Sequence, residues 1–308
     1  MKEIKPLDVI SRVARALPEN CRENIVIIGS LAAAYAYFGN KRNIVVRTKD
    51  IDCLIKPYTV AVEKGKIITK QLLEAGWKPG KIGLHQDPAT RDTPDENLPA
   101  IRLYPPDADP RDENAWFIEL LTEPQSTADQ GKKWTRIIID EEIHFGLPSF
   151  RFLAITAFNP EKIEEFGICR AQPKMMALAN LLEHPKIRPE HMSKSFAGRE
   201  IKRSNKDLGR VLAIGYLEQE MYNTDLRNWG FEWGYALKHC FPDEWESLAQ
   251  KAGDGLNALI HSNEDLDEAY HTCANGLLSS FGITTKILQE AGNRILGDAV
   301  GALQKFKG

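Results

Sequence analysis

Residues 25–55 read IVIIGSLAAAYAYFGNKRNIVVRTKDIDCLI, and this stretch decides the fold. The β-branched run Ile25-Val26-Ile27-Ile28 ends abruptly in Gly29-Ser30. A short continuous apolar run stopped by a turn residue predicts a buried strand. The small-residue run Leu31 to Phe38 then predicts a helix that closes at Gly39-Asn40. A second extended segment spans about 44–55 and carries Asp50 and Asp52. Side chains alternate faces along a strand, so both carboxylates project together while Ile51 and Cys53 point into the core.

These residue types suit phosphate chemistry. Gly29 permits a tight turn and close approach of a ligand. The N–H groups that open the following helix, with the Ser30 hydroxyl, can take phosphate oxygens. Two adjacent carboxylates form a hard oxygen site of the kind that holds Mg²⁺ or Mn²⁺. Burying two like charges in apolar strand without a cation would be costly. The other two D-x-D triplets, Asp107/Asp109 in PPDADP and Asp265/Asp267 in NEDLDEAY, lie in a proline-rich loop and at an acidic helix start. Both read as solvated acids.

Outward from this core, the pattern predicts an α+β protein. A helix runs from a cap at Asp8 to Leu17, and an amphipathic helix from about Val60 to Trp77 is weakened by Gly65. Residues 79–114, rich in Pro and Asp, read as an irregular insertion with one strand near Ala100–Tyr104. Strand character returns at Trp116–Leu121, and a hairpin is expected around Asp140-Glu141-Glu142. After about residue 150 the texture is helical, with pieces at 175–183, 208–220, 229–239, 245–252 and 265–279. The expected division is an αβ domain over 1–150 and a helical domain over 151–308 that completes the active-site cleft.

The order hydrophobic strand, Gly29-Ser30, helix, then Thr48, Asp50 and Asp52 resembles the nucleotidyltransferases of the DNA polymerase beta-like superfamily. Within it, the stretch is most similar to the AbiEii-type toxins of type IV toxin–antitoxin and phage-abortive systems. The resemblance implies a mixed sheet with flanking helices followed by a helical domain. It implies metal binding by Asp50 and Asp52 with a third acid on a neighbouring strand; Glu119 in FIELL is the candidate, with Glu123 its rival. It implies nucleotide contacts from Gly29 and Ser30 and from Lys174 or Lys206. Asp207 would be a further catalytic acid in REIKRSNKDLGR, where Arg210 stands at a position commonly acidic. The cofactor would be Mg²⁺ or Mn²⁺, the substrate an NTP, and the acceptor a tRNA 3′ end or another RNA, with a cognate antitoxin as partner.

The chain has 308 residues, 43% apolar and 27% charged, with a net charge of −3, enough to fill a core in about two domains. That near-neutral charge argues against a general nucleic-acid coat protein. Charge is uneven, however: residues 170–206 hold nine Lys/Arg against three Glu, and 87–129 hold eleven acids against three bases. The basic stretch reads either as a guide for phosphate and RNA or as a solvated surface. Five dispersed cysteines without a C-x-x-C pair fit a reducing compartment. MKEIKPLDVISR lacks a signal-type apolar core, and no run approaches a membrane span, so a cytoplasmic protein without a membrane partner is expected.

No H-E-x-x-H, G-x-S-x-G or P-loop motif occurs, which disfavours a zinc protease, a hydrolase elbow or a P-loop enzyme. The aromatics Trp229, Phe231, Trp233 and Tyr235 read as core or interface. Two rivals to the leading function stand: nucleotidyl transfer to a small molecule or a protein, and a catalytically weak nucleotide- or partner-binding protein of the same fold.

Overall fold

Alternation along three neighbouring strands organises the first half of the chain. The computed structural model describes residues 3–39, 41, 44–80, 88–112, 114–128, 132–183 and 195–307. The fold is α+β, and the chain divides into two units, Met1–Gln172 and Pro173–Gly308.

The first unit opens with β1 (Glu3–Ile4), α1 (Pro6–Ala16), α2 (Glu19–Arg22), β2 (Ile25–Ile28), α3 (Gly29–Phe38), β3 (Val46–Arg47) and β4 (Asp50–Ile55). It continues through α4 (Tyr58–Glu74), β5 (Lys78–Pro79), β6 (Arg102–Tyr104), β7 (Phe117–Thr122), β8 (Lys133–Ile138) and β9 (His144–Ser149). A short α5 (Leu153–Thr156), β10 (Glu161–Ile163) and β11 (Ile168–Arg170) close it. Seven strands form one mixed sheet in the order β10-β11-β2-β4-β7-β6-β5. β2 is antiparallel to β4, β4 is parallel to β7, and β6 is antiparallel to β7. The chain-local reading of strands at 25–28 and 116–121 and of a helix between Leu31 and Phe38 therefore holds, whereas the extended segment expected over about 44–55 divides into β3, which pairs with β1 in a separate two-stranded sheet, and β4.

Three features differ from expectation. α1 begins at Pro6, whose ring presets the helical φ, so Asp8 lies inside the first turn rather than capping it. Gly65 sits in α4 as a packing contact: a Cβ there would stand 3.1 Å from Leu147 Cδ1 and 3.3 Å from Ile137 Cδ1. The bare backbone lets the β8–β9 hairpin lie close against the helix. The boundary between units falls after Gln172 rather than after residue 150, because β11 pairs with β2 and so belongs to the sheet. β10 and β11 are three residues each and carry too little pattern to be seen beforehand.

The second unit is helical throughout its named elements: α6 (Pro173–Glu183), α7 (Arg203–Tyr222), α8 (Arg227–Cys240), α9 (Trp245–Lys251), α10 (Asp254–Ile260) and α11 (Asn263–Ala274). α12 (Thr285–Arg294) passes through a π-helical turn, Ile295–Val300, into α13 (Gly301–Gln304). α7 supplies the centre, with Leu208, Val211, Leu212, Ile214 and Leu217 buried. A Cβ at Gly209 would come within 3.0 Å of the Ala269 carbonyl, so this glycine sets how closely α7 approaches α11. Ser262 and Thr284 cap α11 and α12 through their hydroxyls. Among the described residues no helix is long and apolar enough to cross a membrane.

Candidate functional site

Strand register gathers the first three acidic residues. Asp52 lies directly across from Ile28 on β2 and from Glu119 on β7, and Asp50 lies across from Phe117. Residues in register share a face, and residues two apart on a strand share it too. Asp50, Asp52 and Glu119 therefore lie on one face of the sheet and are half-buried. The alternate residues Ile51, Cys53, Ile118 and Leu120 are 0% exposed on the other side. Burial pushes the Cys53 thiol far up, and the Asp52 charge adds to it, so this cysteine is inert packing.

Gly29 stands where β2 gives way to α3, in the left-handed region with φ +74°. A Cβ at that position would stand 2.6 Å from Asp52 Oδ2. Two independent requirements thus select glycine: the backbone angle and the carboxylate beside it. Ser30 follows, half-buried, in the first turn of the ten-residue α3, whose leading N–H groups have no partner within the helix. Thr48 is buried just ahead of β4.

Glu119 is engaged. Arg102 on β6 lies directly across from it and donates its Nε–H to Glu119 Oε2. The Arg102 guanidinium carbon also lies 5.0 Å from the Phe117 ring centre, and Tyr104 packs against the same ring at 5.2 Å. Burial raises the Glu119 pKa; the Arg102 charge and hydrogen bond oppose that shift, and Asp50 adds to it. Lys132, whose Nζ lies 3.8 Å from the Trp134 ring centre, is a second cation acting on Glu119. The Tyr104 phenol is also raised, by burial first, with Arg102 opposing and Asp50 reinforcing. The rival acid, Glu123, accepts the Tyr58 N–H at 2.8 Å and so serves the start of α4. Sequence reasoning missed Arg102, although it stands in the single apolar island of the proline-rich insertion, AIRLY.

Among the described residues no three of His, Cys, Asp and Glu are gathered to hold a metal ion as they stand. Asp50 and Asp52 nevertheless offer the hard oxygen donors that suit Mg²⁺ or Mn²⁺; Gly29 beside them is buried, and Ser30, half-buried, is the part of the corner that reaches solvent. The pair fits a divalent cation. Glu119 fits only if Arg102 yields it.

The remaining candidates lie in the second unit. Lys174, in the first turn of α6, bridges Glu232 at 2.6 Å, while its carbonyl accepts the Trp233 indole N–H at 2.9 Å. Lys206 and Asp207 are half-buried near the start of α7. Asp207 lies 3.9 Å from Arg210 one turn on, so the arginine at the commonly acidic position is its neighbour.

The third D-x-D triplet is not plain solvated acid. Asp265 accepts from Lys202 Nζ at 2.7 Å and Asn205 Nδ2 at 2.8 Å, and Asp267 pairs with Arg199 at 2.6 Å. Buried Glu268 accepts the Lys202 N–H and Asn205 Nδ2. This network ties the start of α7 to α11. It also occupies Arg199 and Lys202 of the basic stretch, as Glu161 occupies Arg170. Lys186, Arg188 and Lys194 lie outside the described residues.

The aromatic run on α8 splits by helical spacing. Trp229 and Trp233 are buried, 5.8 Å apart, whereas Phe231 and Tyr235 are 50% and 61% exposed. His144 is buried with its Nδ1 2.8 Å from Arg136. A cavity of about 430 Å³ opens in the second unit among Trp245, Gln250, Gln304, Phe306 and Lys307, and no candidate residue lines it. Comparison with models of protein families, with characterised proteins and with solved structures finds no match to this chain.

Proposed function

We propose that this chain is a divalent-cation-dependent nucleotidyltransferase that moves a nucleoside monophosphate from an NTP to an acceptor hydroxyl. The observation that carries the reading is the corner at Gly29: a left-handed glycine between strand and helix with the Asp52 carboxylate against it. Gly29 and Ser30 bind the β- and γ-phosphates through the opening of α3. Asp50 and Asp52 would hold the cation, which when bound would supply charge neutralisation for the triphosphate and a lowered pKa for the attacking hydroxyl. The acceptor oxygen forms a bond to the α-phosphorus while the α–β anhydride bond breaks. Pyrophosphate leaves, and a carboxylate of the face takes the hydroxyl proton.

The resemblance to AbiEii-type toxins supports a tRNA 3′ end as acceptor in the cytoplasm, with growth arrest relieved by an antitoxin; a small molecule or a protein side chain is the alternative acceptor. The test is incubation with each α-labelled NTP, Mg²⁺ and total cellular RNA. A labelled tRNA-sized band, absent with Asp50→Ala and Asp52→Ala, is the expected result. Equal labelling by all three proteins removes the assignment.

A second reading, a nucleotide-binding protein of the same fold with weak turnover, is favoured by two ion pairs. Glu119 is engaged by Arg102, and Lys174 by Glu232. Tight binding of Mg-NTP without pyrophosphate release on any acceptor would support it.

A further inference from the structure

Arg102 has no part in the transfer chemistry above, yet it is joined directly to the acidic face through Glu119. Two anchors fix its planar group, the hydrogen bond to Glu119 and the face of the Phe117 ring, and Phe117 is the register partner of Asp50. Its side chain is 29% exposed and that of Glu119 is 14% exposed, so water screens the pair poorly. Strand register puts these groups on one face: Asp52 and Arg102 lie directly across from Glu119 on its two sides, and Asp50 lies across from Phe117, two residues before Glu119.

We propose that Arg102 is a built-in counter-ion that competes with the divalent cation for Glu119, so that Glu119 joins Asp50 and Asp52 only when Arg102 releases it. This rests on the reading of the face as a cation site. A guanidinium fork matches a carboxylate and stacks on an aromatic ring, whereas a lysine ammonium offers a point charge without the stack. A dication approaching Asp50 and Asp52 meets the fixed positive charge of Arg102 and a third carboxylate already engaged. Removing the guanidinium removes both obstacles.

Mn²⁺ binding to the full-length protein tests this, read from loss of the free-ion electron paramagnetic resonance signal, without nucleotide and without turnover. Arg102→Gln should bind Mn²⁺ about tenfold tighter than the natural chain, the lower end of what neighbours of metal ligands contribute. Arg102→Lys, which keeps the charge and carries the comparison if the glutamine variant does not fold, should show a smaller gain. Glu119→Gln should bind Mn²⁺ no tighter than the natural chain, since Arg102 keeps its charge and the third carboxylate is gone. The double variant Arg102→Gln/Glu119→Gln should lose the gain. Asp50-dependent binding that Arg102 variants leave unchanged, or a gain that survives Glu119→Gln, overturns this proposal alone. Absence of Asp50-dependent binding in every variant overturns the cation-site reading with it.

Discussion

Asp52 Oδ2 occupies the space in which a side chain at Gly29 would begin, 2.6 Å from the ideal Cβ position. The loop that would receive phosphate and the carboxylate that would receive a cation are therefore one constraint, set by the pairing of Ile28 with Asp52. Gly29→Ala should lower stability by about 1–3 kcal/mol, the usual cost of a non-glycine residue held at a sparsely populated backbone angle. It should also turn the Asp52 carboxylate away and weaken Mg-NTP binding. Urea unfolding and a nucleotide titration on the same variant check both effects.

Ser30→Ala leaves the backbone corner intact. One charge-assisted hydrogen bond is worth about 1.5–3 kcal/mol, so the KM for NTP should rise roughly tenfold or more while the thermal midpoint stays unchanged. Steady-state kinetics at varied NTP, beside a melting curve, separate the two quantities.

The α7–α11 network makes the second unit sensitive to pH at both extremes. Burial alone would raise the Asp265 pKa, but hydrogen bonds from Lys202, Asn205 and Ser262 outweigh it and hold the carboxyl below its ordinary value of 3.8. A lowered carboxylate pKa contributes stability above the unfolded value, and that contribution is lost as pH falls through the folded value. The Lys202 pKa is raised, by its hydrogen bond to Asp265 above all, so its contribution is present below 10.5 and is lost as pH climbs through the folded value. Asp265→Asn should therefore be less stable than the natural chain at pH 7, and the gap should close as pH falls below the ordinary value of 3.8 and through the lowered folded one. Unfolding curves across pH for the two proteins test this; a gap that is constant in acid argues against an ionic role.

Much of this was legible beforehand, for reasons specific to each element. The strand, the Gly29 corner and the shared face of Asp50 and Asp52 follow from local periodicity, which needs no knowledge of distant partners. Glu119 was reachable because it is the one acid of FIELL, mid-strand with apolar neighbours on both sides. Arg102 was not, since β6 is three residues long in a proline-rich segment and its pairing with β7 is non-local. The acids of α11 look solvated in NEDLDEAY because nothing local reveals that Arg199, Lys202 and Asn205 fold onto them. On α8, four aromatics two residues apart cannot share one helical face, and the structure buries only Trp229 and Trp233.

That split has a measurable consequence. Trp233 is 0% exposed and its indole N–H holds the Lys174 carbonyl, so Trp233→Ala should cost about 3–5 kcal/mol. Phe231→Ser should stay within about 0.5 kcal/mol of the natural chain, as exposed positions usually do. Chemical unfolding of the two variants side by side distinguishes them.

The carboxylate pair itself is tested most directly by transfer of label from an α-labelled NTP to cellular RNA, comparing the natural chain with Asp50→Asn and Asp52→Asn. Both substitutions keep side-chain volume, so both proteins should melt normally. Each should lose more than about 100-fold of the labelling rate, exceeding what outer neighbours of metal ligands contribute. Labelling at the natural rate by either folded variant would contradict the account.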